Sequence, residues 1–344
     1  MQLDRRALLK RAGLASAGIV LGGGAALRGL DLVSGRGIPP ALARALAQDV
    51  DLPGMPPAIT PTERFYVVSK NTFGDPNIDA GRWRLRVGGA VANPLELDLD
   101  AIRTFPAVRQ YQTLECIDNV VGGDLISNAE WTGARLADVL AQAGVRDGVR
   151  RIVFQCEDDY SDSIELGKAL EPTTLLAYEM NGQVLPAGHG FPVRVLSPNL
   201  YGIKNPKWVV EIRAVTDDYR GFWQRRGWTN DGTIKTMSRI DVPTAGRVSG
   251  SLQRMGGIAF AGARGIQGVD VSADDGRSWS PATLAPALST ISWVLWTADW
   301  LPQGSMQTLA VRATDGRGMP QIAEIRPALP DGSSGIHKVT VRVG

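Results

Sequence analysis

Two cysteines, Cys116 and Cys156, and two histidines, His189 and His337, are the only thiols and imidazoles in 344 residues. Cys116 lies in TLECIDNVVGG (113–123), between Glu115 and Asp118, with Asn119 next and Gly122-Gly123 closing the stretch. Carboxylates beside a thiol raise its pKa by like-charge repulsion, which disfavours a free nucleophilic thiolate. A metal removes that objection, because a coordinated thiol is deprotonated outright. Paired glycines also let a backbone approach a ligand closely. The local chemistry therefore favours metal ligation at Cys116 over cysteine nucleophilic catalysis; an inert buried thiol is the plain structural alternative. The two cysteines could also pair as one disulfide in an oxidising compartment. CxxC, CxxCH, HExxH, GxSxG and Walker patterns are absent, which removes zinc-finger, c-type haem, zincin, hydrolase-elbow and P-loop readings.

A second cluster, GHGFPVRVLSPNLYGIKNPKW (188–208), sets His189, Arg194, Lys204 and Lys207 among glycines and prolines. Glycine amides with Arg and Lys suit a phosphate; a turn-rich solvated surface is the alternative. A third, DDYRGFWQRRGWTND (217–231), interleaves Phe222, Trp223 and Trp228 with Arg220, Arg225 and Arg226. It reads either as a substrate funnel or electron-partner surface, or as an aromatic-packed connection between domains.

Elements of several kinds must position these residues. RWRLRVGGAV (82–91) alternates as a strand ending at Gly88-Gly89, and ARLADVLAQAG (134–144) has helical apolar spacing stopped by glycine. RIVFQCEDDY predicts a strand with Ile152, Phe154 and Cys156 on one face; PVRVLSP and WVVEIRAV are further strands. From Thr236 the chain alternates short strand patterns with Gly-containing turns, including an ADDGRSW hairpin, as in a β-sandwich. Trp279, Trp293, Trp296 and Trp300 read as its core and inter-sheet packing. The length suits about two domains. The organisation expected is a leader at 1–47, a proline-rich linker at 48–62, a mixed domain at 63–235 and a sandwich at 236–344.

A net charge of +2 gives no reason to expect nucleic acid. The first 47 residues hold seven basic residues and two acids, so the rest of the chain carries more acids than bases. DRRALLK (4–10), followed by a weakly apolar run from Ala12 to Leu27, resembles a twin-arginine export signal. The run is short for a membrane span, and Ala-Leu-Ala at 45–47 offers a cleavage site, an uncut basic anchor being the alternative. Such a signal implies passage through the twin-arginine translocase, a periplasmic or other extracytoplasmic location, and a cofactor inserted before export.

The ordered motifs TLECIDN, SNAEWTGARLADVL, YSDSI, LLAYEMNGQVLP, HGFPVRVLSP, YGIKNPKW and FWQRRGW resemble the molybdopterin-binding domain of the sulfite oxidase family. VDVSADDGRSW, SWVLW and VRATDGRG resemble that family's immunoglobulin-like dimerisation domain. The resemblance, from about residue 60 to the end, implies an α+β molybdopterin-binding domain followed by an all-β immunoglobulin-like sandwich. It implies one pyranopterin cofactor holding molybdenum (Mo-molybdopterin), with Cys116 as the protein ligand and catalytic residue. Cofactor contacts carried over are Tyr66, Lys70, Asn71, Asn119, Asp158, His189, Arg194, Lys204, Asn205 and Lys207. Cys156 is expected to be a core thiol, a place beside the pterin being the alternative the resemblance offers. The implied activity is oxo transfer to or from a small-molecule substrate. A cytochrome or membrane haem subunit is the expected electron partner, since the chain has no haem or iron–sulfur motif of its own. A homodimer through the sandwich is the family's habit. Sulfite oxidases proper follow the cysteine motif with arginines and carry a tyrosine in the segment matching FWQRRGW. Here Val120, Val121 and Trp228 stand in those places, so the expected substrate is not sulfite. A cysteine-dependent redox protein and a non-enzymatic binding module are the competing readings.

Overall fold

A computed structural model describes residues 50, 52–72 and 74–344. The leader and its export and cleavage motifs lie outside the described residues. No described helix is long and apolar enough to cross a membrane.

The first half of the chain contains β1 (Leu85–Gly89), β2 (Leu95–Leu97), α1 (Leu99–Thr104), β3 (Ala107–Glu115), β4 (Ile126–Arg135), α2 (Leu136–Ala143) and β5 (Arg151–Cys156). It continues with β6 (Ser161–Glu165), α3 (Leu166–Ala169), β7 (Leu175–Met180), β8 (Gln183–Val184), β9 (Arg194–Leu196) and β10 (Val209–Val215). One sheet has the order β2-β1-β10-β5-β6, with β1 and β10 parallel. The other runs β3-β4-β7-β8, with β9 also paired to β7. Between them α2 buries Leu136, Val139, Leu140 and Ala143 against Leu85, Val87, Ile152, Phe154 and Ile212. This is the stripe its apolar spacing predicts. Gly144 ends α2 in a left-handed conformation, φ 68°, where its amide caps the Leu140 and Ala141 carbonyls. Asp98 caps α1, accepting from the Ala101 amide at 2.8 Å.

The second half is all β: β11 (Met237–Val242), β12 (Gly246–Val248), β13 (Gln253–Phe260), β14 (Ile266–Ser272), β15 (Ser280–Pro281), β16 (Thr283–Leu284), β17 (Val294–Trp300), β18 (Met306–Asp315) and β19 (His337–Val343). Sheets β11-β13-β17-β16 and β12-β19-β18-β14-β15 enclose Met255, Trp296, Leu309, Val311 and Val341. The expected ADDGRSW hairpin joins β14 to β15. Trp296 and Trp300 are buried between the sheets as expected, whereas Trp293 is buried against the first half of the chain. Trp279 is only half-buried: its ring carries the Arg312 guanidinium on its face, 4.4 Å from the centroid, a surface role rather than a core one.

The two halves share a core. Ile117, Ile126, Tyr201, Ile203 and Ile234 from the first pack with Ile258, Phe260, Trp293 and Leu295 from the second. The stretch read as a linker takes part. Thr60 is buried and its amide donates to the Asn128 carbonyl at 2.8 Å. The Ala58 carbonyl accepts from both Asn128 Nδ2 and Trp293 Nε1. Proline-rich composition here marks an extended, pinned segment, not a free tether.

Candidate active site

β3 and β4 form a long antiparallel hairpin whose last pair is Glu115 with Ile126. Cys116 is the first residue beyond it. Its amide donates to the Leu125 carbonyl at 2.9 Å, and its carbonyl accepts from the Asn119 amide at 3.0 Å. The thiol thus stands at the root of a hairpin loop, on the wall of a cavity of ≈ 390 Å³. Its neighbour across the cavity is the extended segment 65–70, with Tyr66 stacked on Phe65. Gly202 lets the chain after β9 close in. A methyl group there would sit 3.1 Å from the Tyr66 hydroxyl and 3.3 Å from the Glu115 carbonyl oxygen.

Burial pushes the Cys116 thiol up to about 11, and the charges of Asp118 and Glu115 add to the effect, against a hydrogen bond from the Asp118 backbone that lowers it. Burial likewise raises Glu115 to about 7, opposed by its hydrogen bond from Asn119 and by Arg239. The like-charge repulsion expected from the sequence is present, but desolvation is the larger cause.

The same cavity collects His189, Arg194 and Lys207. Arg194, on β9, is buried over the Trp131 ring and donates to the His189 and Asn205 carbonyls. Lys207 Nζ donates to the Gly188 carbonyl at 2.9 Å and lies over Trp208. Gly190, at φ 113°, allows the turn after His189 to lie against both: a methyl would fall 3.0 Å from Arg194 Cβ and 3.1 Å from Lys207 Cβ. Burial, then the neighbouring Arg194 charge, brings Lys207 down to about 8 and His189 to about 4. Burial also lowers Arg194 to about 10. His189 is therefore neutral at pH 7, and its Nε2 donates to the Thr62 carbonyl at 3.2 Å.

The other carried-over residues separate into two groups. Tyr66, Lys70, Asp158 and Asn205 line the cavity, and Lys70 pairs with Asp158 at 3.6 Å. Asn71, Asn119 and Lys204 are not on its wall. Asn71 is turned to Asp75 and Lys70. Asn119 is spent inside the hairpin loop, donating to Glu115 Oε1 and accepting from the Leu125 amide. Lys204, 1% exposed, donates to Asp162 at 2.7 Å, to the Ser163 carbonyl and to Asn230, so its three protons are all committed. The Asn205 amide is equally occupied, accepting from Ser197 and donating to the Leu200 and Tyr201 carbonyls. Cys156 is a free, buried thiol in the main core, and Cys116 is also free, so there is no disulfide. Sequence reasoning passed over Thr62, Phe65, Tyr160 and Trp208, which join the site only through folding. Trp223 and Trp228 line the cavity and also pack on the core shared by the two halves, as the reading of an aromatic-packed connection expects.

Residues 72–223 match the oxidoreductase molybdopterin binding domain family. Sulfite oxidase of Arabidopsis thaliana is 30% identical over 276 residues, covering 65% of this chain and 70% of that protein. The chain belongs to the sulfite oxidase family of molybdopterin-dependent oxidoreductases. Mitochondrial sulfite oxidase of Mus musculus is 35% identical over 270 residues, 66% of this chain and 49% of that protein. The chain thus spans about half the length of the mammalian relatives it matches. The crystal structure of the sulfane dehydrogenase SoxCD from Paracoccus pantotrophus superposes with a TM-score of 0.72 at 22% identity, over 83% of each chain, and shares the fold. Its architecture is a molybdopterin-binding domain followed by an immunoglobulin-like sandwich.

The donor set fits that cofactor. Among the described residues no group of three or more His, Cys, Asp or Glu side chains converges on a metal position. The protein's own offer to a metal in this cavity is one sulfur, which suits a metal already held by an organic ligand. Arg194 Nε is buried without a hydrogen-bond partner among the described residues, and it lies in the basic group that would meet a pterin phosphate.

Proposed function

We propose that this enzyme is an exported molybdenum-pterin oxidoreductase that moves an oxo group to or from a small, uncharged substrate and exchanges electrons with an external haem partner. The observation that carries the reading is one cavity with the Cys116 thiol on its wall and Arg194, Lys207 and His189 in the same space. The bound cofactor supplies two-electron redox chemistry at molybdenum. Cys116 would contribute the protein sulfur, and Arg194 and Lys207, with the neutral His189 beside them, would hold the phosphate. A thiol raised to about 11 is protonated at neutral pH, which speaks against Cys116 as a free redox nucleophile.

The cavity wall that holds the thiol includes Tyr66, Ile117, Ile203, Trp223 and Trp228 and the carboxylate of Asp118, and Lys70, also on it, is paired with Asp158. Val120, where sulfite oxidases proper put a cation, is 61% exposed at the hairpin tip and does not line the cavity. An unpaired sulfite dianion would be poorly matched in such a site. Export rests on DRRALLK alone, and exchanging Arg5 and Arg6 for lysine should leave the protein in the cytoplasm on cell fractionation.

The deciding experiment is metal analysis and steady-state turnover of the wild type and Cys116→Ala, produced in cells that make molybdopterin. The wild type should hold about one molybdenum per chain and reduce a neutral sulfoxide in preference to oxidising sulfite. Cys116→Ala should fold and lose turnover. A folded wild type without molybdenum, or one with sulfite as its best substrate, would refute the corresponding part of the proposal.

A further inference from the structure

The loop that carries Cys116 is gripped from outside its own sheet. Ser333 Oγ donates to the Asn119 carbonyl at 2.6 Å, and Arg239 Nη1 donates to the Gly123 carbonyl at 2.7 Å. Between these points Gly122, at φ 77°, lies against the His337 ring, so close that a methyl group would be 2.5 Å from its Cδ2 and Nε2. Val121 packs beside Gly335. All four partners come from the sandwich half, from β11 and from the stretch entering β19. They are themselves held: Arg239 Nη2 pairs with Asp241 at 2.7 Å, and His337 Nδ1 accepts from the Ile240 amide at 3.0 Å.

A ten-residue hairpin loop with two adjacent glycines has many conformations of similar energy unless something outside it selects one. Within the loop, backbone bonds join Asn119 to Cys116 and Gly123 to Val120, and the Asn119 side chain ties the loop's base to Glu115 and Leu125; none of these holds the apex from 120 to 123 to the rest of the molecule. The bonds to the Asn119 and Gly123 carbonyls straddle the apex, and the one from Arg239 is charge-assisted.

We propose that Arg239 and Ser333 are positioning residues for the Cys116 sulfur, so that the sandwich sets where the thiol stands in the cavity. The proposal rests on the reading of Cys116 as the metal ligand. Without these bonds the loop opens more often, and the thiol spends less time in its place.

The test is thiol alkylation of the metal-free full-length protein, read by peptide mass spectrometry, with the core thiol Cys156 as the internal monitor of global unfolding. Arg239→Gln should speed alkylation of Cys116 about tenfold, and Ser333→Ala about threefold, with Cys156 unchanged. Arg239→Lys should restore most of the protection. Arg312→Gln, which breaks the pair with Asp270 elsewhere in the sandwich, should change neither thiol. In the molybdenum-loaded enzyme, Arg239→Gln should lower kcat with KM little changed and broaden the molybdenum(V) resonance. Unchanged Cys116 labelling in Ser333→Ala and Arg239→Gln would overturn the proposal, as would Cys156 rising in step with Cys116. If Arg239→Gln does not fold, Ser333→Ala decides alone. Because labelling is read without metal, a wild type that binds no molybdenum would remove the ligand role while leaving the clamp measured.

Discussion

Two lysines three residues apart have opposite duties. Lys204 neutralises Asp162 in a fully buried pair, while Lys207 stands on the cavity wall with its charge destabilised by burial and by Arg194. Removing one partner of a buried pair leaves the other uncompensated, so Lys204→Met should cost about 3–5 kcal/mol in denaturant unfolding of the metal-free protein. Inorganic phosphate should raise the Tm of the metal-free protein, and Lys207→Met should cost far less stability than Lys204→Met and reduce that rise. The pH dependence follows from the same shift. Lys207 falls from an ordinary 10.5 to about 8 in the folded protein, so between those values the unfolded chain binds more protons. Stability of the phosphate-free protein contributed by this group therefore rises as pH climbs from about 8 to 10.5. Phosphate needs the protonated amine, so the rise in Tm that it produces should be larger at pH 7 than at pH 9.

At the scale of elements, the site is assembled where a hairpin root, an extended segment and the turn after β9 meet. Gly202 is a tight point of this meeting: a methyl group there, 3.1 Å from the Tyr66 hydroxyl and 3.3 Å from the Glu115 carbonyl oxygen, would require its neighbours to shift by a few tenths of an ångström. Gly202→Ala should push Tyr66 and the Cys116 backbone apart, costing about 1–3 kcal/mol. Molybdenum content of the purified variant should fall relative to wild type. The pieces themselves were legible: α2 from its apolar period and terminal glycine, β5 from alternation, the β14–β15 hairpin from its turn residues. Their encounter was not, because Gly202 and Tyr66 are joined by tertiary packing that no local period encodes. Asn119 and Lys204 show the same limit. Both sit in motifs that resemble cofactor-binding loops, yet the hydrogen bonds they make spend them on the scaffold.

For the whole molecule, the two halves are not independent. Their shared core of Ile117, Tyr201 and Ile203 with Phe260, Trp293 and Leu295 would become solvent-exposed if the sandwich were removed. A chain ending at residue 235 should therefore aggregate or bind a hydrophobic dye, with loss of cooperative thermal unfolding. A soluble, cooperatively folding fragment would show that the interface is dispensable.

Residue type and order were enough to single out Cys116 and the cluster around Arg194 and Lys207 as candidate site residues, and to read a β-sandwich in the second half of the chain. Those conclusions depend on local chemistry, periodicity and the sequence of motifs, all of which a linear chain displays. Which cations face the cavity, which are buried in ion pairs, and that Arg239 and Ser333 reach the Cys116 loop were decided by tertiary structure alone. A charge's duty depends on who shares its desolvated space, and residues separated by more than a hundred positions become neighbours only when the chain has folded.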